Sequence, residues 1–396
     1  MTAKVRTKKA PDGQTENGRA SPPVVGCTPT ISPSASTWFA NRLLEWFADN
    51  GRTDLPWQKD KNAYKVWVSE IMLQQTRVQT VIPYFERFIH RFPTLVCLAE
   101  AEQDEVLAHW SGLGYYARGR NLHAAAIICN TRFNGALPCN LNDLVSLPGI
   151  GRSTAGAILS IACKTRAPIL DGNVKRVLAR FLGIGGWPGK KAVENQLWQA
   201  AERYTPQTQL AEYTQAIMDL GATVCTRTSP ECEHCPFSHS CFAFINNRIA
   251  DFPGKKPKRT NPTRQAWLLI IRNEKREIWL EKQPDKGIWG GLWSLPQRDI
   301  KESRQHIAAR VEMNQRVSVK SHSVLDEFTH IFSHFNLKLR PLVLEVKETG
   351  YLSEPHPEYG TGLNNGWKSE MVATTLGLPA PIKKVLASIH TVPDNQ

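Results

Sequence analysis

The chain has 396 residues, of which 41% are hydrophobic, and its 49 lysines and arginines against 36 aspartates and glutamates give a net charge of +13. This much apolar material suffices for two or three domains with buried cores, and no apolar run approaches the length that spans a bilayer. The composition therefore excludes a membrane protein and a small scaffold that needs disulfides, while the positive charge favours a phosphate-bearing partner, nucleic acid first.

Residues 1–36 are expected to form a disordered basic tail, because they hold almost no bulky core-forming residue. Its basic residues are Lys4, Arg6, Lys8, Lys9 and Arg19. The tail either adds unspecific DNA affinity or is a plain solvated extension. Asp12 and Glu16 argue against a transit peptide. With no targeting segment evident, we expect a cytoplasmic protein, associated with the nucleoid if the source is bacterial.

Residues 37–250 are predicted to form one helical domain that begins near Trp38, since apolar residues recur at helical spacing between short Gly, Pro and Asn breaks. Glu70 lies in such a stretch, YKVWVSEIMLQQT (residues 64–76), among mostly apolar neighbours. A desolvated carboxyl group has a raised pKa and can act as a general acid. A surface or ion-paired glutamate is the commoner alternative, and position alone does not decide between them.

Two further segments carry side chains suited to base flipping: Gln74 with Gln75, and GLGYYARGR at residues 112–120. Long or planar side chains fill the space that an extruded base leaves, and neighbouring cations hold phosphates. Tyrosines between glycines serve equally well as core or hinge residues, so this pattern leaves both interpretations open.

LPGIGRSTA, at residues 147–155, joins two helical stretches by a hairpin with Gly149 and Gly151. Glycines let backbone N–H groups approach a phosphate at the start of the next helix, although a simple tight turn has the same pattern. Downstream, LDGNVKR (residues 170–176) places Asp171 where it caps a helix. An aspartate beside helix N–H groups stays ionised, as a cationic sugar intermediate requires.

Four cysteines within a short loop, at residues 225–241, have the pattern Cys-x6-Cys-x2-Cys-x5-Cys: Cys225, Cys232, Cys235 and Cys241. Thiolates this close can converge on one inorganic centre, and the spacing leaves a structural zinc ion and an iron-sulfur cluster both open. The other five cysteines are scattered: Cys27, Cys97, Cys129, Cys139 and Cys163. The odd number of cysteines in the whole chain, nine, and the length of the chain disfavour a disulfide framework.

A Pro- and Lys-rich stretch, residues 251–264, is predicted to be an extended basic linker. Beyond it, residues 265–390 are predicted to form an α+β domain, with strands at residues 267–271, 277–280 and 338–344 and one helix at residues 305–313.

Together these segments resemble the helix-hairpin-helix DNA glycosylases, and specifically the adenine DNA glycosylases of the MutY family, which remove adenine mispaired with 8-oxoguanine. The resemblance covers residues 38–381 and rests on residues 66–76, 113–118, 147–156 and 170–176 together with the four-cysteine loop. It implies an all-α helix-hairpin-helix glycosylase domain with a 4Fe-4S cluster on the four cysteines, followed by an α+β Nudix-like domain. The implied partner is double-stranded DNA with adenine opposite 8-oxoguanine or guanine, bound by a monomer.

The resemblance also implies roles for single residues. Glu70 would protonate an imidazole-ring nitrogen of the flipped adenine, and Asp171, helped by Asn173, would stabilise the oxocarbenium-like sugar. Gln75 and Tyr115 would insert into the duplex. The other implied DNA contacts are Gly149, Gly151 and Ser153, and the implied adenine pocket includes Leu73 and Gln58.

Two positions separate this chain from relatives. Glycosylase-lyases of the same superfamily carry a Schiff-base lysine where this chain has Ser153, so a mainly monofunctional enzyme that leaves an abasic site is expected, and a lyase acting on oxidised pyrimidines is disfavoured. Many relatives have an arginine where this chain has Gln58, which lacks the fixed charge and planar fork. We expect activity to persist with glutamine.

The C-terminal domain supports the same assignment. GIWGGLWSLP (residues 287–296) resembles the start of a Nudix domain, but residues 299–313 contain only Glu302 and Glu312 as glutamates, too few for the metal-binding run of a nucleotide pyrophosphatase. FTHIFSHF (residues 328–335) matches the family's lesion-recognition loop, formed by Phe332, Ser333 and His334. A non-catalytic, cluster-bearing DNA-binding protein is disfavoured because both carboxylates are present.

Overall fold

The computed structural model describes residues 33–257, 260–349 and 365–389. Within these ranges a helical N-terminal part is followed by a mixed sheet with helices, which confirms the predicted fold class. Most of the expected tail lies outside the described residues, but the first helix begins at Pro33, inside the segment that we expected to be disordered. No helix of the described ranges is long and apolar enough to cross a membrane.

Twelve α-helices make up the described N-terminal part, and no strand occurs in it. They are α1 (Pro33–Asn50), α2 (Ala63–Leu73), α3 (Val78–Arg91), α4 (Leu95–Ala99), α5 (Gln103–Trp110), α6 (Ala117–Arg132), α7 (Leu141–Ser146), α8 (Arg152–Ile161), α9 (Gly172–Leu182), α10 (Lys191–Tyr204), α11 (Leu210–Asp219) and α12 (Phe242–Ile245).

These helices pack around two apolar cores. One core belongs to α2 through α8 and is centred on Trp67, Phe88 and Trp110. The other belongs to α1 and α9 through α11 and contains Phe39 and Ile217. Helix α8 joins the two cores, because Ile158 packs in the first core and Ala157 in the second. The groove between the two bundles is therefore lined by α2, α8, α9 and α11.

Side-chain caps explain where several helices begin. Asn62, Thr94 and Asn140 each accept a hydrogen bond from the backbone N–H three residues later, at the starts of α2, α4 and α7. Asp171 does the same for α9, accepting from Val174 N–H at 2.8 Å, which confirms the predicted cap. Each cap satisfies an N–H group that the helix itself leaves without a partner.

The C-terminal part is built on one mixed sheet. Its strands are β1 (Thr263–Asn273), β2 (Ile278–Lys282), β3 (Trp293–Ser294), β4 (Gln297–Asp299), β5 (Val317–Val324), β6 (Phe328–Ile331), β7 (Asn336–Glu348) and β8 (Asn365–Lys368). The central path runs β3-β2-β1-β7-β5, and β1 and β7 pair in parallel. The three predicted strands correspond to β1, β2 and β7.

Helices cover both faces of this sheet. The predicted helix is α13 (Arg304–Gln315), which packs Ile307 and Val311 on one face. The opposite face holds α14 (Glu370–Thr375) and α15 (Ala380–Ile389), neither of which we predicted. Glu302 forms an ion pair with Arg310 at 3.3 Å, and Glu312 accepts a hydrogen bond from the Val319 N–H at 2.8 Å.

The segment expected to be a linker is only partly one. Phe252 is buried and its carbonyl accepts from Arg180 Nε at 3.0 Å, while Gly254 N–H donates to Gly186 O at 2.9 Å. These bonds tie the start of the segment to the helical domain, and β1 already begins at Thr263. The connecting chain is therefore shorter than predicted, because both ends of the predicted range belong to the neighbouring domains.

The two domains pack against each other directly. Asp104 of α5 pairs with Lys282 Nζ at 2.7 Å and accepts from Trp293 Nε1 at 3.2 Å. Ser111 Oγ donates to Leu378 O at 2.6 Å, and the Leu107 side chain lies in the C-terminal core. The loop before α6 therefore faces the C-terminal domain across a cleft.

A disulfide joins Cys139 to Cys163, which we did not predict. Cys139 precedes α7 and Cys163 follows α8, so the bond closes the open end of the helix-hairpin-helix unit. The pairing depends on the return of the chain after the hairpin, and the spacing in the sequence does not reveal it. The other cysteines that the structure describes form no disulfide, and Cys27 lies outside the described residues.

Candidate active site

A cavity of about 350 Å³ opens between the two helical bundles and collects five of the predicted site residues. They are Glu70 and Leu73 from α2, Ser153 from α8, and Asp171 and Asn173 at the start of α9. These positions are far apart in the sequence, and the packing of α2, α8 and α9 brings them to one cavity. Both carboxyl groups that we predicted to carry chemistry therefore face the same space.

Glu70 lies near the C-terminal end of α2, and its neighbours on the helix are buried: Trp67, Val68, Ser69 and Ile71. Burial, reinforced by the negative charge of Asp171, raises the pKa of Glu70 to about 8. The residue keeps partial exposure because it lines the cavity. A carboxyl group in this state holds a proton at neutral pH and can deliver it to a group in the cavity.

Asp171 has a more balanced environment. Burial raises its pKa, whereas hydrogen bonds from the Val174 and Asn173 N–H groups and the charges of Arg176 and Lys175 lower it. We expected the helix N–H groups to lower the pKa of Asp171. Burial has the larger effect, so the pKa is raised. The four opposing groups nevertheless all favour the ionised form, and none of them acts on Glu70.

Ser153 is directed at the chain that carries Asp171. Its Oγ accepts a hydrogen bond from the Leu170 N–H at 2.9 Å, immediately before the aspartate. Asn173 accepts from Arg176 Nη2 at 2.8 Å, and it lies so close to Gly221 that a Cβ there would stand 2.6 Å from the Asn173 Cβ. These contacts hold the start of α9 in place at the wall of the cavity.

Gln58 lies next to the main cavity. It lines a second, much smaller cavity behind Glu70, and it does not line the main cavity. The short helical turn Pro56–Gln58 places Trp57 at the wall of both cavities and Gln58 at the wall of the small cavity alone. The Gln58 Nε2 is buried without a hydrogen-bond partner among the described residues. Gln58 therefore lies outside the main cavity but shares the small cavity with Glu70, and its place in the adenine pocket stays a prediction.

The sequence analysis did not identify three residues of the site: Arg52, Gln215 and Asp219. Asp219 is fully buried, and it accepts from Arg52 Nη2 at 2.5 Å, from the Arg52 N–H at 2.8 Å and from Gln215 Nε2 at 2.9 Å. Arg52 and Gln215 both reach the main cavity. The one signal in the sequence was an aspartate within the apolar run of residues 216–222, since a buried carboxylate needs a charged partner.

A wider cleft of about 540 Å³ separates the helical domain from the C-terminal domain. Gln75 and Tyr115 line one side, and Phe332, Ser333 and His334 line the other. Gln75 and Tyr115 both have left-handed backbones, with φ of 59° and 49°, and half of the Tyr115 surface is exposed. The structure therefore brings the residues predicted to insert into DNA opposite those predicted to recognise the lesion.

The turn between β6 and β7 presents the predicted recognition loop. Phe332 N–H donates to Phe335 O at 2.9 Å, and the two rings stack with centroids 4.6 Å apart. The His330 ring meets Phe332 edge-on, also at 4.6 Å. Phe332 is thus half-buried and braced by aromatic rings, whereas Ser333 and His334 are exposed at the tip of the turn.

The hairpin between α7 and α8, which we predicted to contact a phosphate, contains two glycines. Gly149 has a φ of 80°, and a Cβ there would lie 2.9 Å from the Asn121 Cβ, so a larger residue would be strained and crowded. Gly151 begins α8 with open space around it. Backbone N–H groups at such a helix start can face an anion.

The four cysteines of the loop converge. Cys225, Cys232, Cys235 and Cys241 line one small cavity next to the buried Arg180. Arg180 Nη1 donates to Cys225 Sγ at 3.4 Å. In the described part of the chain, no three histidine, cysteine, aspartate or glutamate side chains are grouped as a single metal ion requires. The four cysteine sulfurs nevertheless share one cavity beside a cation.

Comparisons with known proteins identify both parts of the chain. Residues 68–203 match the model of the HhH-GPD superfamily of base excision DNA repair proteins, and residues 266–388 match the NUDIX domain model. The adenine DNA glycosylase of Buchnera aphidicola subsp. Schizaphis graminum is 39% identical over 348 residues, which is 88% of this chain and 97% of that protein. The adenine DNA glycosylase of Homo sapiens is 44% identical over 360 residues, which is 76% of this chain and 66% of that protein.

Proposed function

Since the chain belongs to the adenine DNA glycosylases of the HhH-GPD superfamily, we propose that it excises adenine paired with 8-oxoguanine or guanine and leaves an abasic site. The observation that carries the proposed chemistry is the placement of Glu70 and Asp171 at one cavity, in environments that differ in kind. A volume of about 350 Å³ is in the range of small-ligand sites and suits one extruded base.

In the proposed reaction, Glu70 donates its proton to an imidazole-ring nitrogen of the extruded adenine. The bond between the sugar and the base then breaks, its electron pair leaves with adenine, and the ionised Asp171 stabilises the positive charge on the sugar. Water adds its hydroxyl to the sugar carbon and returns a proton to Glu70. At the end of the cycle Glu70 is therefore protonated again and Asp171 is still ionised.

The rate of excision is expected to fall as the pH rises above about 8, because the proposed acid must be protonated and its pKa is about 8. Each further pH unit lowers the protonated fraction about tenfold. Toward acid pH the rate falls as well, since protonation removes the charge of Asp171. Single-turnover rates across a pH series measure this dependence, and a rate that stays level well above the pKa of Glu70 contradicts the acid role.

We propose a mainly monofunctional reaction because Ser153 lines the cavity where a lysine would have to attack the sugar. Replacing Ser153 with lysine is expected to create strand cleavage and a covalent enzyme-DNA adduct that borohydride traps. The adduct is measured by denaturing electrophoresis. Wild-type enzyme that forms as much trapped adduct as the variant would contradict the proposal, and Ser146→Lys, on the neighbouring helix α7, is the matched control.

Recognition of 8-oxoguanine is assigned to the loop of Phe332, Ser333 and His334, which faces Gln75 and Tyr115 across the cleft. Phe332→Ala is expected to reduce the preference for adenine opposite 8-oxoguanine over adenine opposite guanine by about tenfold, the effect of losing one aromatic stacking contact of about 1–3 kcal/mol. The measurement compares adenine release from the two duplexes.

Met313→Ala is the control for that experiment, since Met313 is a highly exposed apolar side chain of the same domain outside the cleft. A wild-type enzyme without any preference between the two duplexes would overturn the 8-oxoguanine assignment. An unchanged preference in Phe332→Ala would overturn only the role of the loop.

We also propose that the four thiols of Cys225, Cys232, Cys235 and Cys241 hold a 4Fe-4S cluster. Their common cavity, the partial burial of all four and the adjacent cation Arg180 suit a negatively charged thiolate-bound cluster. When bound, the cluster cross-links the loop. Arg180 also donates to Thr226 O at 2.7 Å and Arg227 O at 3.1 Å, so that it holds the loop against α9.

A further inference from the structure

The turn that follows α2 and the loop that precedes α6 are held by one side chain. Arg118, in the first turn of α6, reaches across to the end of α2 and donates from Nη1 to the carbonyls of Ile71 at 3.0 Å and Met72 at 2.9 Å. The same nitrogen bonds the carbonyl of Gln74. These are the carbonyls that the last turn of a helix leaves without partners.

The second terminal nitrogen of Arg118 binds both segments at once. Nη2 donates to Thr76 Oγ1 at 3.2 Å, in the turn after α2, and to Gly114 O at 3.1 Å, in the loop before α6. One planar guanidinium group therefore joins residues 74–76 to residues 113–114. A lysine ammonium has no such fork and cannot satisfy these acceptors together.

Gln75 and Tyr115, the two side chains predicted to insert into the duplex as wedges, lie at the joined points. Gln75 stands between two residues that Arg118 holds, Gln74 and Thr76, and Tyr115 directly follows the bonded Gly114. Both wedge residues have left-handed backbones, which side-chain-bearing residues rarely adopt unless their surroundings impose it. Arg118 bonds the residues on both sides of Gln75 and the residue before Tyr115.

The position of Arg118 is itself fixed by the core. Its guanidinium lies 5.6 Å from the ring of the fully buried Trp110 and 5.3 Å from the ring of Tyr115. Trp110 Nε1 donates to Gly114 O at 3.2 Å, so the loop is tied to the core twice. Cation-π contact on the Tyr115 ring also orients the wedge side chain directly.

We infer that Arg118 is a positioning residue that couples Gln75 and Tyr115 into one rigid wedge, so that both side chains enter the duplex at a fixed separation. The inference rests on the proposed function, since it takes these two residues to be the ones that enter DNA. Arg118 itself does not line the main cavity that holds Glu70 and Asp171, whereas its partners Gln74 and Thr76 do. The inference places the effect of Arg118 on the opening of the duplex, and this effect must be measured apart from any effect on that cavity.

The test replaces Arg118 with lysine, which keeps the charge and removes the fork. Arg132→Lys, an exposed arginine at the far end of the same helix, is the matched control. Excision is measured at saturating enzyme on two duplexes: adenine paired with 8-oxoguanine, and adenine opposite an abasic-site analogue, which needs far less opening of the stack. Arg118→Lys is expected to lower the first rate at least about tenfold and the second rate much less, because the loss falls on the opening step.

A double-mutant cycle separates coupling from a general loss of structure. In a Gln75→Ala, Tyr115→Ala background, Arg118→Lys is expected to cost little further activity, because the wedge that it positions is gone. Equal losses on the two duplexes, or a full additional loss in that background, would overturn the inference. Failure of the proposed function is distinct, because there the wild-type enzyme releases adenine from neither duplex.

Thr76→Val keeps the experiment decisive if Arg118→Lys does not fold. It removes one acceptor of Arg118 Nη2 and keeps the β-branched shape. We expect a smaller loss with the same dependence on the duplex, and an equal loss on both duplexes would again contradict the coupling.

Discussion

Replacing Glu70 with glutamine is expected to abolish adenine excision while DNA binding persists. Glutamine fills the same space in the cavity and offers no acidic proton, so the departing adenine must leave unprotonated. General acid catalysis typically contributes a factor on the order of 10²–10⁴ to the rate. Single-turnover excision from a duplex with adenine opposite 8-oxoguanine measures the loss, and equilibrium binding of the same duplex measures what is retained.

Glu86→Gln is the matched control for this change. Glu86 is exposed on α3, away from the cavity, so the same substitution there is expected to leave both rate and binding unchanged. A Glu70→Gln enzyme that excises adenine within a few fold of the wild-type rate would show that the proton comes from another group.

Replacing Asp171 with asparagine is expected to lower excision by about 10²- to 10³-fold, the usual effect of removing one charge-stabilising group from a transition state. Asparagine caps a helix as well as aspartate does, so α9 is expected to keep its start. The change is therefore expected to remove the charge that we propose faces the sugar and to preserve the fold. The rate is measured under the single-turnover conditions used for Glu70→Gln.

Thermal unfolding of Asp171→Asn provides the structural control, together with Asp49→Asn on the exposed end of α1. Both variants are expected to unfold near the wild-type temperature. An Asp171→Asn enzyme with a normal midpoint and normal activity would remove this carboxylate from the mechanism.

Features that depend on local sequence could be predicted. The cap at Asp171, the strands around residues 267–271 and 338–344 and the apolar surroundings of Glu70 all follow from residues close in the chain. The buried environment of Glu70 is the more informative of these, because it depends on three neighbours of the same helix that point into the core, Trp67, Val68 and Ile71.

Features that depend on distant segments could not be predicted. Arg52 meets Asp219 only because α1 packs against α11, and the disulfide forms only because the hairpin returns Cys163 to Cys139. The sequence does not reveal which cavity Gln58 lines either, because a turn of three residues decides the direction of its side chain. In each case the chemistry of the residue was visible in the sequence and its partner was not.

The missed residues also refine the account of the cavity. Asp219 neutralises Arg52 within the wall, so the Arg52 charge is balanced before it reaches the cavity. Gln215 is held by the same carboxylate and lines both the main cavity and the small cavity behind Glu70. Arg52 and Asp219 thus add no unpaired charge to the wall that Glu70 and Asp171 share.

A duplex carrying 7-deazaadenine opposite 8-oxoguanine tests the central claim most directly. In this analogue a carbon replaces the imidazole-ring nitrogen that Glu70 is proposed to protonate, while the shape of the base is retained. The account predicts that the wild-type enzyme binds this duplex as tightly as the adenine duplex and releases no base from it. Release of 7-deazaadenine at a rate close to that of adenine would contradict protonation of that nitrogen by Glu70.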